Sequence, residues 1–215
     1  AGGDWIGYVD DDGKVRQNYI EQALYTVGNY DFDCFGGKVV NWFKYGKPRW
    51  YSEIYDPEKE KYKEICEYEG FVSGGISFYK KAIIIMHGGF SSELGMKGGE
   101  MGVGEETRLQ VLIKKNGGKT GLNPLITLEH IVAPEKMNIS YFIKRSYHAG
   151  KVENTVFNME NDTKPSIFYM MTEIIKISVL NLRKFKNSDY FFENYLLDIF
   201  SHAGYLLGKY VSERS

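Results

Sequence analysis

The chain has 215 residues, 43% of them hydrophobic and 26% charged, and its 27 basic and 28 acidic side chains leave a net charge of −1. That balance excludes a protein that coats nucleic acid by bulk charge, and the composition excludes a disordered chain. Two cysteines, Cys34 and Cys66, are too few for a disulfide scaffold or a four-ligand zinc site and fit a reducing compartment.

Trp5-Ile6-Gly7-Tyr8-Val9 reads as a short buried strand, closed by the turn signal Asp10-Asp11-Asp12-Gly13. Helical spacing of Tyr19, Ile20, Ala23, Leu24 and Val27 predicts a helix from Val15 to about Val27. Phe35 to Phe43 is a second strand, interrupted by Gly36-Gly37, and the polar stretch from Gly46 to Glu69, with Pro48 and Pro57, reads as a long loop. Gly74-Gly75 lies between two short apolar runs, and Lys80 to Met86 is a short helix ended by Gly88-Gly89. The Gly-rich stretch 91–104 is expected to be a mobile loop, followed by a helix from Glu105 to Lys115. Short strands are expected at Lys119–Leu122 and Ile126–Glu129, and a basic helix at Ile139–Ala149. Past residue 152 two long apolar-periodic helices follow, about Pro165–Leu182 and Tyr190–Val211. These place a boundary at 152–164, giving an α/β domain over 1–152 and a helical extension over 153–215. No run of about eighteen apolar residues predicts a membrane span.

Three features carry chemistry. Asp10-Asp11-Asp12 follows a strand end, where ligands of open α/β sheets bind, and adjacent carboxylates repel unless a cation or solvent compensates them. Asp10 and Asp12 could offer oxygens to a hard divalent ion; the plain alternative is a solvated acidic turn. An EF-hand fails on spacing, because with Gly13 as its glycine the first and twelfth positions are Tyr8 and Tyr19. Glu105 and Glu106 open a helix beside the Gly-rich stretch, where a carboxylate either complements the helix dipole or serves as a general base. His130 ends a strand and could complete a metal shell, or simply be a surface or core histidine. Two nucleotide signatures fail: the glycine a P-loop needs ahead of Gly118-Lys119-Thr120 is Ile113, and Gly102-x-Gly104 is followed by Thr107 where a third glycine belongs.

In order, Trp-Ile-Gly-Tyr-Val-Asp-Asp-Asp (5–12), Phe-Val-Ser-Gly-Gly-Ile-Ser-Phe-Tyr-Lys-Lys-Ala (71–82), His-Gly-Gly-Phe (87–90), Gly-Glu-Glu-Thr-Arg-Leu (104–109), His130 and Tyr-Phe-Ile-Lys-Arg-Ser-Tyr-His-Ala-Gly-Lys (141–151) resemble the motifs of family 2 glycosyltransferases. Ala-Gly-Tyr-Leu-Leu-Gly (203–208) is similar to a tail common in that family. The resemblance implies a partial GT-A fold: a Rossmann-like mixed sheet with flanking helices, starting at the D-x-D strand, without the nucleotide-binding N-terminal half, and followed by a helical segment. It implies an inverting transfer from a nucleotide-diphosphate sugar to a glycan or lipid-linked acceptor, in polysaccharide or glycan assembly. Mg2+ or Mn2+ would be held by Asp10, Asp12 and His130. Asp10 or Asp11, Gly74, Gly75 and Arg145 would contact the donor, and Glu106 would be the base, with Glu105 as the fallback. In the family the second acid of that pair is usually Asp, so Glu106 reaches one methylene further.

Nucleic acid is not an expected partner. The implied location is cytoplasmic, and because Phe168, Met170, Met171, Ile174 and Ile175 lie near Arg183, Lys184 and Lys186, a peripheral contact with the inner face of the membrane is one use open to the C-terminal helices. Packing against the catalytic domain, or a homodimer, is the alternative use of those helices. Trp50 and Tyr51 are candidates to stack on an acceptor sugar or to pack in a core. Two other functional classes stay open: a catalytically incomplete binding module, and a sugar-1-phosphate nucleotidylyltransferase.

Overall fold

The computed structural model describes residues 2–51, 62–96, 101–157 and 164–212. The chain divides into two compact units. The first comprises Ala1–Lys44, Asp56–Ser91 and Glu105–Val132, and the second Tyr45–Tyr55, Ser92–Gly104 and Ala133–Ser215.

The first unit is a mixed sheet with flanking helices: β1 (Trp5–Val9), β2 (Gly13–Val15), α1 (Tyr19–Asn29), β3 (Cys34–Trp42), β4 (Cys66–Glu67), β5 (Ile76–Lys80), α2 (Lys81–Met86), α3 (Glu105–Lys115) and β6 (Thr120–Ile131). The order is β1-β5-β3-β6-β2, with β4 also on β6. Among the described residues, only β3 and β6 pair in parallel. Ile76, Ser77, Phe78 and Tyr79 of β5 are all buried, as befits a strand covered on both faces. Phe78 stacks on Phe35 of β3 at 4.6 Å, and Trp5 tilts against Phe35 at 5.4 Å. These rings, with Ile76, Ile126, Leu128 and Ala23, make one core cluster; Cys34, Tyr79, Leu109 and Ile113 make another.

Local chemistry explains where the elements depart from their expected bounds. Gly13–Val15 is a strand paired with His130, Glu129 and Leu128, so the helix expected from Val15 begins only at Tyr19. The two strands expected at Lys119–Leu122 and Ile126–Glu129 form one bent strand. Its pairing with β3 breaks between Leu122 and Thr127, around Pro124, which has no N–H for the ladder. The interruption expected at Gly36-Gly37 is the matching irregularity in β3, where a Cβ on Gly37 would lie 2.4 Å from the Ile126 carbonyl oxygen. α3 has the bounds the sequence predicts. It buries Leu109, Gln110, Val111 and Ile113, opens with two acids and closes with Lys114 and Lys115, which suits the helix dipole.

The second unit contains α4 (Ile139–Phe157), α5 (Ile167–Leu182) and α6 (Phe192–Val211), with 3-10 turns at Pro134–Lys136 and Arg183–Lys186. α4 continues past its expected end at Ala149. It packs on α6 through glycines that let the backbones touch: a Cβ on Gly150 would lie 2.0 Å from the Tyr205 carbonyl oxygen, and one on Gly208 1.9 Å from that of Tyr147. Arg49 pairs with Glu193 at 2.6 Å. Tyr51 is buried and meets Phe142 at 5.8 Å, while Trp50 meets Phe142 at 6.0 Å, so both rings belong to an aromatic cluster of this unit. Residues 52–61 of the expected long loop, 97–100 of the Gly-rich stretch and 158–163 of the expected boundary lie outside the described residues.

Candidate functional site

The acidic turn is pinned on both sides. After β1, the Asp10 N–H donates to the Gly75 carbonyl at 3.1 Å, and the Gly13 N–H closes the turn on the Asp10 carbonyl at 3.2 Å. The Ile131 N–H then donates to the Asp12 carbonyl at 3.1 Å, at the far end of β6. These bonds place Asp12 beside His130, whose Nε2 is 3.1 Å from Asp12 Oδ1. One donor atom each from Asp10, Asp12 and His130 lies within 4.8 Å of the others. Asp10 is exposed and the other two are partly buried, so the cluster is open to solvent on one side. Asp11, exposed in the middle of the turn, lies outside it.

Gly74-Gly75 forms the adjoining wall. A Cβ on Gly75 would come within 2.6 Å of Asp10 Oδ2, so the absence of a side chain gives that carboxylate its room. A Cβ on Gly74 would meet Glu106 Cγ at 3.3 Å, so Glu106 packs directly over the neighbouring glycine. The segment is held by Ser73 Oγ, which accepts from the Gly75 N–H at 3.3 Å, and by Ser77 Oγ, which donates to the Gly74 carbonyl at 3.4 Å. The structure thus gathers Asp10, Asp12, His130, Gly74, Gly75 and Glu106 around one short stretch of chain. Glu105 precedes Glu106 in the first turn of α3. Arg145 belongs to the second unit, where its Nη1 donates to the Tyr141 hydroxyl at 3.5 Å.

The donor set fits a hard divalent cation: two carboxylates and one imidazole suit Mg2+ or Mn2+ better than a soft metal, and the glycine wall leaves the ligands space. Gln110 is the residue the sequence did not single out. It is buried on α3 and hydrogen-bonded to Val72, two residues before Gly74. The available signal was a lone amide between Leu109 and Ile113 on the apolar face of that helix.

No family profile matches the chain, and no characterised protein matches it in sequence. Solved structures do. The mannosyltransferase PcManGT from Pyrobaculum calidifontis, solved with GDP-Man and Mn2+, superposes with a TM-score of 0.55 over 97% of this chain at 12% identity. The fold matches that of GT-A glycosyltransferases. This chain spans 61% of that protein's length. Weaker likenesses are to GalNAc-T7 with UDP, GalNAc and Mn2+ (14% identity, 90% of this chain and 40% of that one, TM-score 0.45) and to S. aureus TarS 1-349 with UDP (11% identity, 97% and 65%, TM-score 0.40).

Proposed function

We propose that the chain is the metal-binding and catalytic portion of an inverting, family 2-type glycosyltransferase, moving a sugar from a nucleotide-diphosphate donor to an acceptor hydroxyl in polysaccharide or glycan assembly. The observation that carries this reading is the convergence of Asp10, Asp12 and His130 beside a glycine pair that Glu106 covers. The mannosyltransferase's GDP-Man and Mn2+ are in keeping with it.

Asp10, Asp12 and His130 would hold Mg2+ or Mn2+. A cation there would supply Lewis-acid stabilisation of charge on the departing diphosphate. Glu106 accepts the acceptor's hydroxyl proton as that oxygen bonds to the anomeric carbon and the bond from that carbon to the phosphate oxygen breaks. Glu105 is the fallback base. Gly74 and Gly75 leave room for the sugar against the backbone, and Asp11, free of the metal cluster, is assigned to the donor ribose. Arg145 is assigned to the diphosphate on the resemblance alone.

Calorimetric titration with Mn2+, then with UDP and GDP in the presence of Mn2+, tests the reading, with EDTA as the control. Nucleotide binding that EDTA abolishes supports it. A folded chain that takes up no Mn2+ overturns the metal site, and nucleotide binding indifferent to EDTA overturns the metal-dependent mechanism.

A further inference from the structure

α5 carries two apolar faces. Met170, Ile174 and Ile177 are half-buried on the first. On the second, Phe168, Met171, Ile175, Val179 and Leu182 recur every three or four residues and are 78%, 58%, 61%, 55% and 54% exposed. At 1.5 Å per residue this solvent-facing stripe is about 21 Å long. A surface helix ordinarily turns charged or polar side chains outward, and a continuous apolar patch marks a docking surface. Past the end of the helix in sequence, Phe185 and Phe192 are also 42% and 61% exposed.

The charge around the stripe has one sign. Between residues 164 and 186 stand Lys164, Lys176, Arg183, Lys184 and Lys186 against one acid, Glu173, which pairs with Lys176 at 3.1 Å. Lys184 pairs with Asp198 at 2.9 Å, whereas Arg183 and Lys186 have no ion pair among the described residues. We propose that this face of the second unit docks on an anionic membrane surface. The stripe enters the boundary between headgroups and acyl chains, and Arg183 and Lys186 meet lipid phosphates. Charge separates this occupant from a second copy of the chain: antiparallel pairing of two α5 helices would set Arg183 and Lys186 against Lys164, and parallel pairing would set the two basic tips together. No helix among the described residues is long and apolar enough to cross a membrane, so α5 would lie along the surface. The proposal concerns the second unit alone and does not depend on the transferase reading.

The test is co-sedimentation of the full chain with phosphatidylcholine vesicles, with and without phosphatidylglycerol. Binding is expected to the anionic vesicles only and to weaken with salt. Arg183→Gln with Lys186→Gln should weaken it about 25-fold, from about five-fold per charge removed. Phe168→Ser with Ile175→Ser should weaken it at least about ten-fold. All four side chains are exposed, so circular dichroism should show an unchanged helix content. Absence of binding by the folded chain, or binding indifferent to both pairs of substitutions, overturns the proposal. So does a dimer in sedimentation velocity that the apolar pair dissociates, which would make the stripe a self-interface.

Discussion

Gln110 and Val72 are joined at two points: the Gln110 side-chain Nε2 donates to the Val72 carbonyl at 2.9 Å, and the Val72 N–H donates to Gln110 Oε1 at 2.8 Å. Gln110 Nε2 also reaches the Tyr79 hydroxyl at 3.2 Å, and all three residues are buried. The amide replaces a missing strand partner and fixes α3, with Glu106 on its first turn, to the segment that leads into Gly74-Gly75. Gln110→Leu keeps the volume and strands two buried main-chain groups. It should cost about 2–4 kcal/mol, measured by urea denaturation.

Asp12→Asn should weaken Mn2+ binding by about 100-fold in calorimetry, since it removes a charge from the cluster. Gly75→Ala is the sharper probe. The atom its Cβ would meet is the free end of the Asp10 side chain, so the fold should tolerate the methyl while Asp10 is displaced. The expected result is a melting temperature close to wild type with Mn2+ affinity about ten-fold lower.

Glu106→Gln preserves shape and removes the carboxylate proposed as the proton acceptor. In an active preparation it should lower turnover by about 10²–10⁴-fold while nucleotide binding stays unchanged. Near-normal turnover would remove Glu106 from the mechanism.

The two thiols should differ in reactivity. Burial pushes the Cys34 thiol up to about 11, outweighing its hydrogen bond to Thr120, and leaves no accessible thiolate at neutral pH. Cys66 is half-buried, with a smaller upward push from the same cause. A thiol-exchange reagent at about pH 8 should label Cys66 first, and Cys34 only on unfolding.

His202, on α6, is held below its ordinary value of 6.5 chiefly by desolvation, and its Nε2 is buried with no hydrogen-bond partner among the described residues. The folded state resists a proton that the unfolded chain accepts. Stability should therefore fall as pH drops through about 6.5 toward the lower folded value. Melting temperatures compared at about pH 7.5 and about pH 5.5 should show the loss, and His202→Gln should reduce it.

Much of the site was legible because it is local. The acidic turn follows a strand, the helix start at Glu105 is marked by a glycine and two acids, and both depend on neighbours in sequence. The failures have tertiary causes. Val15 fits the helical period yet pairs with Leu128, because a three-residue strand has too little periodicity to register. Ile20 and Leu24 look like core residues of α1 but are 60% and 67% exposed, because Ala23 and Thr26 face the sheet instead. α5 is apolar nearly all round, a pattern that reads as a buried helix and does not reveal which side is left open. That Gln110 would bind the Val72 backbone depends on a fold no local pattern encodes.

The pairing of Gly13 with His130 joins the two ends of the first unit in sequence. Contacts between such distant positions are slow to form, because a long loop must close before any bond compensates its lost entropy. On a ribosome, Asp10 and Asp12 would emerge long before their histidine, and β2 would have no strand to join until β6 followed. The Asp10, Asp12 and His130 side chains therefore come together only once β2 and β6 have paired. A metal captured there would act as a latch, slowing the reopening of the β2–β6 pair.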